Sequence, residues 1–520
     1  MPLYMTQGLH RTLQSHPNRI ATICGDRQHS YRQYADRVAR LAGALQALGM
    51  TRGDRVAILA FNSDRYLEFY YGTWWGGGAV NPVNFRWSAT EIAYSLDDCE
   101  SKILLVDDQF KAIVPELRNK STVLTTLIYI GDGATPEGML NYEQLLAEAT
   151  PVADVGAAGN DLAAVMYTGG TTGFPKGVML SHENLASNAL ALVAHGAAAS
   201  DGRTLLIAPM FHIAAGFVMN GNAVVGGTFI IVPAFNPLAT LHAVQEHRVT
   251  HMVLVPTMVQ LTVDHPDAGN YDLSSLRKLL YGGSVISAAV LQRAMARFAN
   301  AGFLQAYGMT EMAPSMTVLT PEDHLRGVDQ PALLGSAGRA SIIAEIRIVD
   351  VRGNEVPRGT VGEVTARGPG VMLGYWNKPE VTKATVKNGW MYTGDGGRMD
   401  DEGYLYIVDR MKDMIVSGGE NVYSAEVENA IARHPAVAAC AVIGIPSEQW
   451  GEVVHAVVAL RANETATSEE LSKHCHEHIA GYKCPRSIEF RDALPTTGAG
   501  KVMKTELRKP FWEGKSRAVN

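Results

Sequence analysis

Between Thr168 and Gly177 the chain packs four glycines, three threonines and one lysine into ten positions, Thr168-Gly169-Gly170-Thr171-Thr172-Gly173-Phe174-Pro175-Lys176-Gly177. Glycine lets successive backbone N–H groups turn into one concavity, and such a concavity binds anions. The threonine hydroxyls add donors, and Lys176 adds a positive charge that can follow a polyphosphate. The stretch lacks the Gly-Lys-Ser/Thr ending of the common nucleotide loop, so it is not a Walker site. The plainer reading is a Gly/Thr surface loop. Other chemistry-bearing residues follow at intervals. They are His212 in Pro209-Met210-Phe211-His212, the turn Gly282-Gly283-Ser284, and Glu311 closing Gln305-Ala306-Tyr307-Gly308-Met309-Thr310-Glu311. Asp395 in Tyr392-Thr393-Gly394-Asp395 and Lys501 after Gly500 complete the set. A glutamate carboxylate is a hard oxygen ligand suited to Mg2+. An aspartate accepts two hydroxyls in one bidentate contact.

These residues need elements to hold them. The apolar run Leu162 to Met166 predicts a buried strand entering the glycine stretch. Before it, Tyr34, Val38, Leu41, Ala42, Leu45 and Leu48 recur at helical spacing, and strands are expected at 55–60, 80–83 and 103–106. The aromatic run from Phe69 to Trp75 reads as a buried helix, with its rings as core. After the glycine stretch, strands are expected at 204–208, 228–232, 251–255, 278–281 and 303–306, with helices between them. That alternation implies an α/β fold with mostly parallel, helix-covered sheets. The loops after such strands carry ligands, so the segments at 209–212, 282–284 and 307–311 converge on one crevice in this reading. From about Ala344 the texture turns to short strands: a hairpin over 345–356 about Arg352-Gly353-Asn354, then 363–366 and 404–408. Beyond the charged joint Asp409 to Asp413, a helix at 425–431 and strands at 437–445 and 455–460 suggest a separate α+β module.

Composition narrows the class. A chain of 520 residues exceeds one hydrophobic core. With 47% apolar and 19% charged residues it reads as an ordinary soluble protein, and a formal charge of −7 without a basic block argues against nucleic acid as partner. The five cysteines are scattered and unpaired in spacing, which excludes a zinc ribbon or disulfide framework and fits a reducing cytoplasm. No apolar leader or membrane span is expected. The run His474-Cys475-His476-Glu477-His478 looks like a metal cluster, but neighbours on a helix point to different faces and only His474 and His478 share one.

Taken together, six ordered signatures resemble the adenylate-forming superfamily of acyl-CoA synthetases, aryl-CoA ligases, luciferases and peptide-synthetase adenylation domains. They are Tyr167 to Gly177, Pro209 to His212, Gln305 to Glu311, Tyr392 to Asp395, Asp409 to Glu426, and Gly500-Lys501. The segment Asp409 to Tyr423 looks most like bacterial fatty-acyl-CoA synthetases. The resemblance implies a large N-terminal region, 1–409, of two α/β subdomains plus a β-barrel-like piece, and a small mobile α+β domain, 410–520. It implies ATP, Mg2+ and coenzyme A as cofactors and a small carboxylic acid, a fatty or aryl-alkanoic one, as substrate. The assembly is open, with a homodimer as one candidate.

The resemblance also implies roles. Thr168, Gly169, Gly170, Thr171, Thr172, Gly173 and Lys176 would hold the β- and γ-phosphates, although Gly169 stands where the family usually has serine. Glu311 would bind Mg2+, Thr310 would contact the α-phosphate and Tyr307 would stack on adenine, within the motif that includes Ala306, Gly308 and Met309. Gly282, Gly283 and Ser284 would border the nucleotide. Asp395 would take the ribose hydroxyls with Arg410 as partner. Lys501 would neutralise the adenylation transition state, with Lys504 as the competing lysine. Lys412 would be the hinge, Gly418 and Gly419 would line the pantetheine channel, and His212 would gate the substrate carboxylate; its plainer reading is a structural histidine. No aspartate near Ala214 to Gly216 awaits a substrate ammonium, so an amino acid substrate is not expected. The implied activity is acid:CoA ligation through an acyl-adenylate. The alternatives are transfer to a carrier-protein thiol or an amine, and an inactive binding relative.

Overall fold

The computed structural model describes residues 2–168, 175–410, 413–417, 420–496 and 502–513. The chain divides into two compact units, Met1–Ile346 with Ala366–Met391, and Arg347–Thr365 with Tyr392–Asn520.

The first unit holds two sheets. One has eight strands, in the order Gly374–Tyr375, Lys176–Ser181, Leu162–Thr168, Ala79–Pro82, Arg55–Leu59, Ile103–Val106, Thr126–Tyr129 and Leu140–Asn141. The apolar run before the glycine stretch is the strand Leu162–Thr168, and it pairs antiparallel with Lys176–Ser181, Thr168 opposite Lys176. The glycine stretch therefore closes an antiparallel pair rather than leading into a crossover helix. The other sheet has nine strands, in the order Arg339–Ala340, Ser315–Leu319, Gly302–Gly308, Lys278–Gly282, His251–Leu254, Arg203–Leu206, Thr228–Ile231, Ile20–Cys24 and Arg27–Ser30. From Gly302–Gly308 to Ile20–Cys24 neighbouring strands are parallel. Their C-terminal ends share one edge, and from it leave the segments that contain His212, Gly283 and Glu311. Open parallel sheets bind ligands at that edge.

Burial explains why the two sheets stay together. All twelve residues of the helix Asp64–Trp75 are buried, and burying each of its rings is worth roughly 1.5–3 kcal/mol. Trp74 Nε1 donates to the Ala163 carbonyl at 2.8 Å, so the aromatic helix is tied to the strand that enters the glycine stretch. Asn62, also buried, spans toward the other sheet: its Nδ2 donates to the Ala208 carbonyl at 2.9 Å and its Oδ1 accepts from Met210 N at 2.8 Å. An unmet amide there would cost about as much as a lost hydrogen bond, so these bonds fix the position of the Pro209–His212 segment.

The helix His182–Ala194 starts with a capping box: Ser181 Oγ accepts from Asn184 N, and the Asn184 side chain accepts from Ser181 N. His182 in its first turn is buried, with Nδ1 accepting from Met5 N at 3.3 Å and Nε2 without a partner. Burial pushes its pKa from the ordinary 6.5 down to about 4. The unfolded chain therefore takes up a proton first, so the contribution of this group is complete above pH 6.5 and is lost as pH falls through about 4. The urea midpoint should fall across that window, and His182→Gln should flatten the fall. A slope identical in the variant would refute this assignment.

In the second unit, Trp390–Met399 and Leu405–Arg410 pair antiparallel and, with Gly362–Arg367, form the half-barrel sheet. The turn Asp350–Asn354 is closed by Asp350 N donating to the Asn354 carbonyl at 2.8 Å. A second sheet runs Glu420–Val422, Ile415–Ser417, Gly451–Leu460, Val437–Ser447, with Ser487–Phe490 on Gly451–Leu460. It buries Ile415, Val422, Val442 and Val454 against Val427, Ile431 and Leu471 of the helices Ser424–Ile431 and Ser468–His476. These residues form one buried cluster within the second unit.

Candidate active site

In the first unit the structure brings together Lys176, Glu311 and a residue outside the sequence reading, Tyr375. Gly374–Tyr375 pairs with Lys176–Ser181, Tyr375 opposite Val178. The Lys176 ammonium lies 4.4 Å from the Tyr375 ring centroid, a cation–π contact. The Tyr375 hydroxyl donates to Glu311 Oε1 at 2.8 Å. Burial, and then the Glu311 carboxylate, push the Tyr375 pKa far up, so the phenol stays a donor at all working pH. One tyrosine therefore links Lys176, at the end of the glycine stretch, to the carboxylate of the motif at 305–311.

Glu311 is 6% exposed, and its turn is clamped. Its carbonyl accepts from Met372 N at 2.9 Å. Asn188, fully buried on the helix His182–Ala194, donates to the Met312 carbonyl at 3.0 Å and accepts from Ser315 N at 3.0 Å. Met309 N donates to the Pro314 carbonyl at 3.0 Å, and at Gly308 a Cβ would come 1.8 Å from that same oxygen. Only glycine permits this approach. Among the described residues no group of three His, Cys, Asp or Glu could hold a metal ion. A single clamped carboxylate fits Mg2+, which takes one or two protein carboxylates and fills its remaining positions with phosphate oxygens and water.

The neighbouring loops follow the same edge. Gly282 faces Ala306 across parallel strands, and a Cβ on Gly282 would meet the Ala306 carbonyl at 2.2 Å. Gly283 follows at φ +84°, the left-handed region, before Ser284. Tyr307 and Met309 are partly buried against the main core. Thr310 begins the short turn Thr310–Met312. His212 is half-buried and caps the helix Ile213–Val225, its Nδ1 accepting from Ala214 N at 3.2 Å. The segment before it is held by Tyr70, whose hydroxyl donates to the Met210 carbonyl at 2.9 Å. The ring thus has a structural use as a cap, which fixes where its other nitrogen points.

In the second unit Asp395 is buried, with its N donating to Thr393 Oγ1 at 3.0 Å, and its register partner across the strands is Arg410. The two residues are thus cross-strand neighbours. Lys504 is engaged elsewhere in that unit. Its ammonium lies 2.8 Å from Glu428 and donates to Ser424 Oγ. Burial alone would lower its pKa, but the Glu428 carboxylate and then Asp409 hold it raised and charged. The competing lysine is therefore committed to a half-buried ion pair. Pairing of Thr496 with Val502, and Met503 N donating to the Pro495 carbonyl at 2.8 Å, close the base of the segment that carries Lys501. Lys501 itself, and Gly169, Gly170, Thr171, Thr172, Gly173, Lys412, Gly418 and Gly419, lie outside the described residues. His474 and His478 meet ring to ring at 4.6 Å, with His434 at 5.2 Å from His474.

Sequence reasoning missed Tyr375 and Asn188. In Gly374-Tyr375-Trp376 the tyrosine reads as an ordinary strand aromatic, and Asn188 as a helix interior residue. Their partners lie 64 and 124 or more residues away, so no local pattern reports them.

The family model described as AMP-binding enzyme matches residues 9–376, and that described as AMP-binding enzyme C-terminal domain matches 426–501. The chain is 40% identical over 502 residues to a feruloyl-CoA synthase of Amycolatopsis sp, covering 96% of this chain and 98% of that one. It is 34% identical to the fatty acid–[acyl-carrier-protein] ligase ScoC of Streptomyces coeruleorubidus, covering 100% and 98%. Among solved structures, the amide bond synthetase McbA from Marinactinospora thermotolerans matches with a TM-score of 0.86 at 30% identity, covering 98% of this chain and 100% of that one. With both family models matched in order, the chain belongs to the AMP-binding enzyme family, the adenylate-forming superfamily.

Proposed function

We propose that this protein is an AMP-forming carboxylic acid:CoA ligase whose substrate is an aryl-alkanoic or fatty acid, working in the cytoplasm, with a homodimer as its candidate assembly. The observation that carries the reading is the Lys176–Tyr375–Glu311 arrangement: a cation and a buried carboxylate fixed on one tyrosine beside the phosphate loop. Feruloyl-CoA synthase, the relative described above, supports the aryl side of that range.

In the first step a carboxylate oxygen attacks the α-phosphorus of ATP, the bond to the bridging oxygen breaks and pyrophosphate leaves. Mg2+, when bound at Glu311, supplies charge to neutralise phosphate oxygens. The chain's own residues do the positioning. Lys176 and the Thr168 to Gly173 stretch hold the β- and γ-phosphates, Thr310 contacts the α-phosphate, Tyr307 stacks on adenine beside Gly282 to Ser284, and Asp395 and Arg410 take the ribose. His212 orients the acid. Lys501 stabilises the charge that builds on the reacting oxygens. In the second step the sulfur of CoA attacks the acyl carbon, AMP leaves with the electron pair, and the thiol proton passes to solvent. The thiol needs the side that Lys501 occupied, so we assign residues 410–520 as a domain that turns about Lys412, with Gly418 and Gly419 lining the pantetheine path.

The test is a pyrophosphate-release screen over short, medium, long and aromatic acids, with and without CoA. Release of AMP that depends on CoA supports the ligase. Exchange of pyrophosphate that CoA does not stimulate would favour the second reading, in which a carrier-protein thiol or an amine accepts the acyl group, as the names of ScoC and McbA describe for those proteins.

A further inference from the structure

The two strands that flank the glycine stretch meet as the register pairs Tyr167–Gly177 and Thr168–Lys176. The Tyr167 ring lies against Gly177, where a Cβ would come 3.0 Å from Tyr167 Cζ. The Tyr167 hydroxyl donates to Asp98 Oδ2 at 2.7 Å, at the end of the helix Ala89–Asp98. Tyr94 of the same helix meets the ring edge-on at 6.4 Å. Burial pushes the pKa of this phenol far up, so it stays a donor. The contacts continue from the next residue. The Cys99 carbonyl accepts from Arg55 Nε, and the Arg55 guanidinium, on a side chain 10% exposed, lies 4.7 Å from the Trp376 ring centroid. Trp376 N then donates to the Gly177 carbonyl at 2.7 Å, and Asn377 Nδ2 donates to the Asp98 carbonyl at 3.3 Å. A closed circuit, Tyr167–Asp98–Cys99–Arg55–Trp376–Gly177, therefore surrounds the Tyr167–Gly177 pair.

We propose that Tyr167 and Asp98 are a positioning pair for the terminal phosphates of the nucleotide, acting through Thr168 and Lys176. The inference rests on the reading, given under the proposed function, that these two residues hold the β- and γ-phosphates. Thr168 and Lys176 stand one ladder step beyond the Tyr167–Gly177 pair, so whatever fixes that pair fixes both. Trp376 holds the strand that begins at Lys176, and the Tyr167 hydroxyl holds the strand that ends at Thr168. A bond to a carboxylate is about twice as strong as one between neutral groups. Without it the ring still packs, but the end of its strand is free to shift, and a shift of about 1 Å is enough to spoil the placement of a binding group. AMP has no β- or γ-phosphate, so its binding does not sense that shift.

The test is calorimetric binding of ATP and of AMP, each with Mg2+, to the full chain, beside the two half-reactions. Tyr167→Phe should bind ATP about tenfold more weakly, the worth of one hydrogen bond to a charged acceptor, with AMP affinity unchanged. KM for ATP in pyrophosphate release should rise by a similar factor, while thiolysis of a supplied acyl-adenylate keeps the wild-type rate. Asp98→Asn, which keeps an oxygen that can accept from the phenol, should weaken ATP by only about threefold. It carries the same contrast should Tyr167→Phe not fold. Adding Asp98→Leu to Tyr167→Phe should weaken ATP no further, because both act through one bond. Equal weakening of ATP and AMP, or equal slowing of both half-reactions, would mean a purely structural tyrosine and overturn the inference. Unchanged ATP affinity in Tyr167→Phe, or additive losses in the double variant, would overturn it too, and the ligase reading would stand. If ATP binds but no acid releases pyrophosphate, the ligase reading fails, and the contrast between ATP and AMP still decides the pair. A wild type that binds neither nucleotide would overturn both.

Discussion

Lys501→Ala is expected to reduce pyrophosphate release on the order of 10²–10³-fold, the usual cost of removing one preorganised donor from a charged transition state. Thiolysis of a supplied acyl-adenylate should stay near the wild-type rate, because the lysine has no work to do once AMP is the leaving group. The structure supplies the control. Lys504, three residues on, is held by Glu428 at 2.8 Å and by Ser424, so Lys504→Met should act on folding instead. Removing one partner of a fully buried pair typically costs about 3–5 kcal/mol, and this half-buried pair should cost less than that. The two lysines therefore separate by readout: half-reaction kinetics for Lys501, and denaturation midpoint for Lys504. Equal loss of both half-reactions in Lys501→Ala, or loss of adenylation in a fully folded Lys504→Met, would move the role away from Lys501. Near that position, Thr496 pairs with Val502, and Val502 packs against the core of Ala441, Ile443 and Leu507.

Glu311→Gln should be nearly as severe. Glutamine keeps an oxygen that can accept from Tyr375, so the turn stays in place while the negative charge is lost. Pyrophosphate release should fall by about 10²-fold, and the Mg2+ concentration for half-maximal rate should rise. Tyr375→Phe keeps the charge but frees the carboxylate from its 2.8 Å donor. Its loss should lie between about 10 and 100-fold in apparent Mg2+ affinity, as for other groups that orient a ligand. The order of the two variants is the diagnostic. A Glu311→Gln protein with unchanged Mg2+ dependence would mean that the carboxylate only braces the turn that Asn188 and Met372 already clamp.

Asn188 and Tyr375 also show why a motif is less than a site. The string from Gln305 to Glu311 resembles a family motif, but it does not say what holds that turn rigid. Rigidity comes from a buried asparagine on a helix 124 residues earlier and a phenol 64 residues later. Those contacts form because burial penalises any amide or carboxylate left without a partner. Which partner arrives is set by how the sheets stack.

By itself the sequence determined the α/β class, the strand that enters the glycine stretch and the order of strands that end at His212, Gly282 and Glu311. Each is encoded locally, in hydrophobic period, in turn residues and in short strings whose chemistry depends on neighbours along the chain. It also ranked Lys501 above Lys504, but for a reason of motif alone. Only the tertiary structure decided that Ile20–Cys24 inserts beside Thr228–Ile231, that Lys504 is spent on Glu428, and that Tyr375 joins Lys176 to Glu311. None of these has a signature along the chain, because each depends on which surfaces meet when apolar area leaves water, and that is a property of the packed whole.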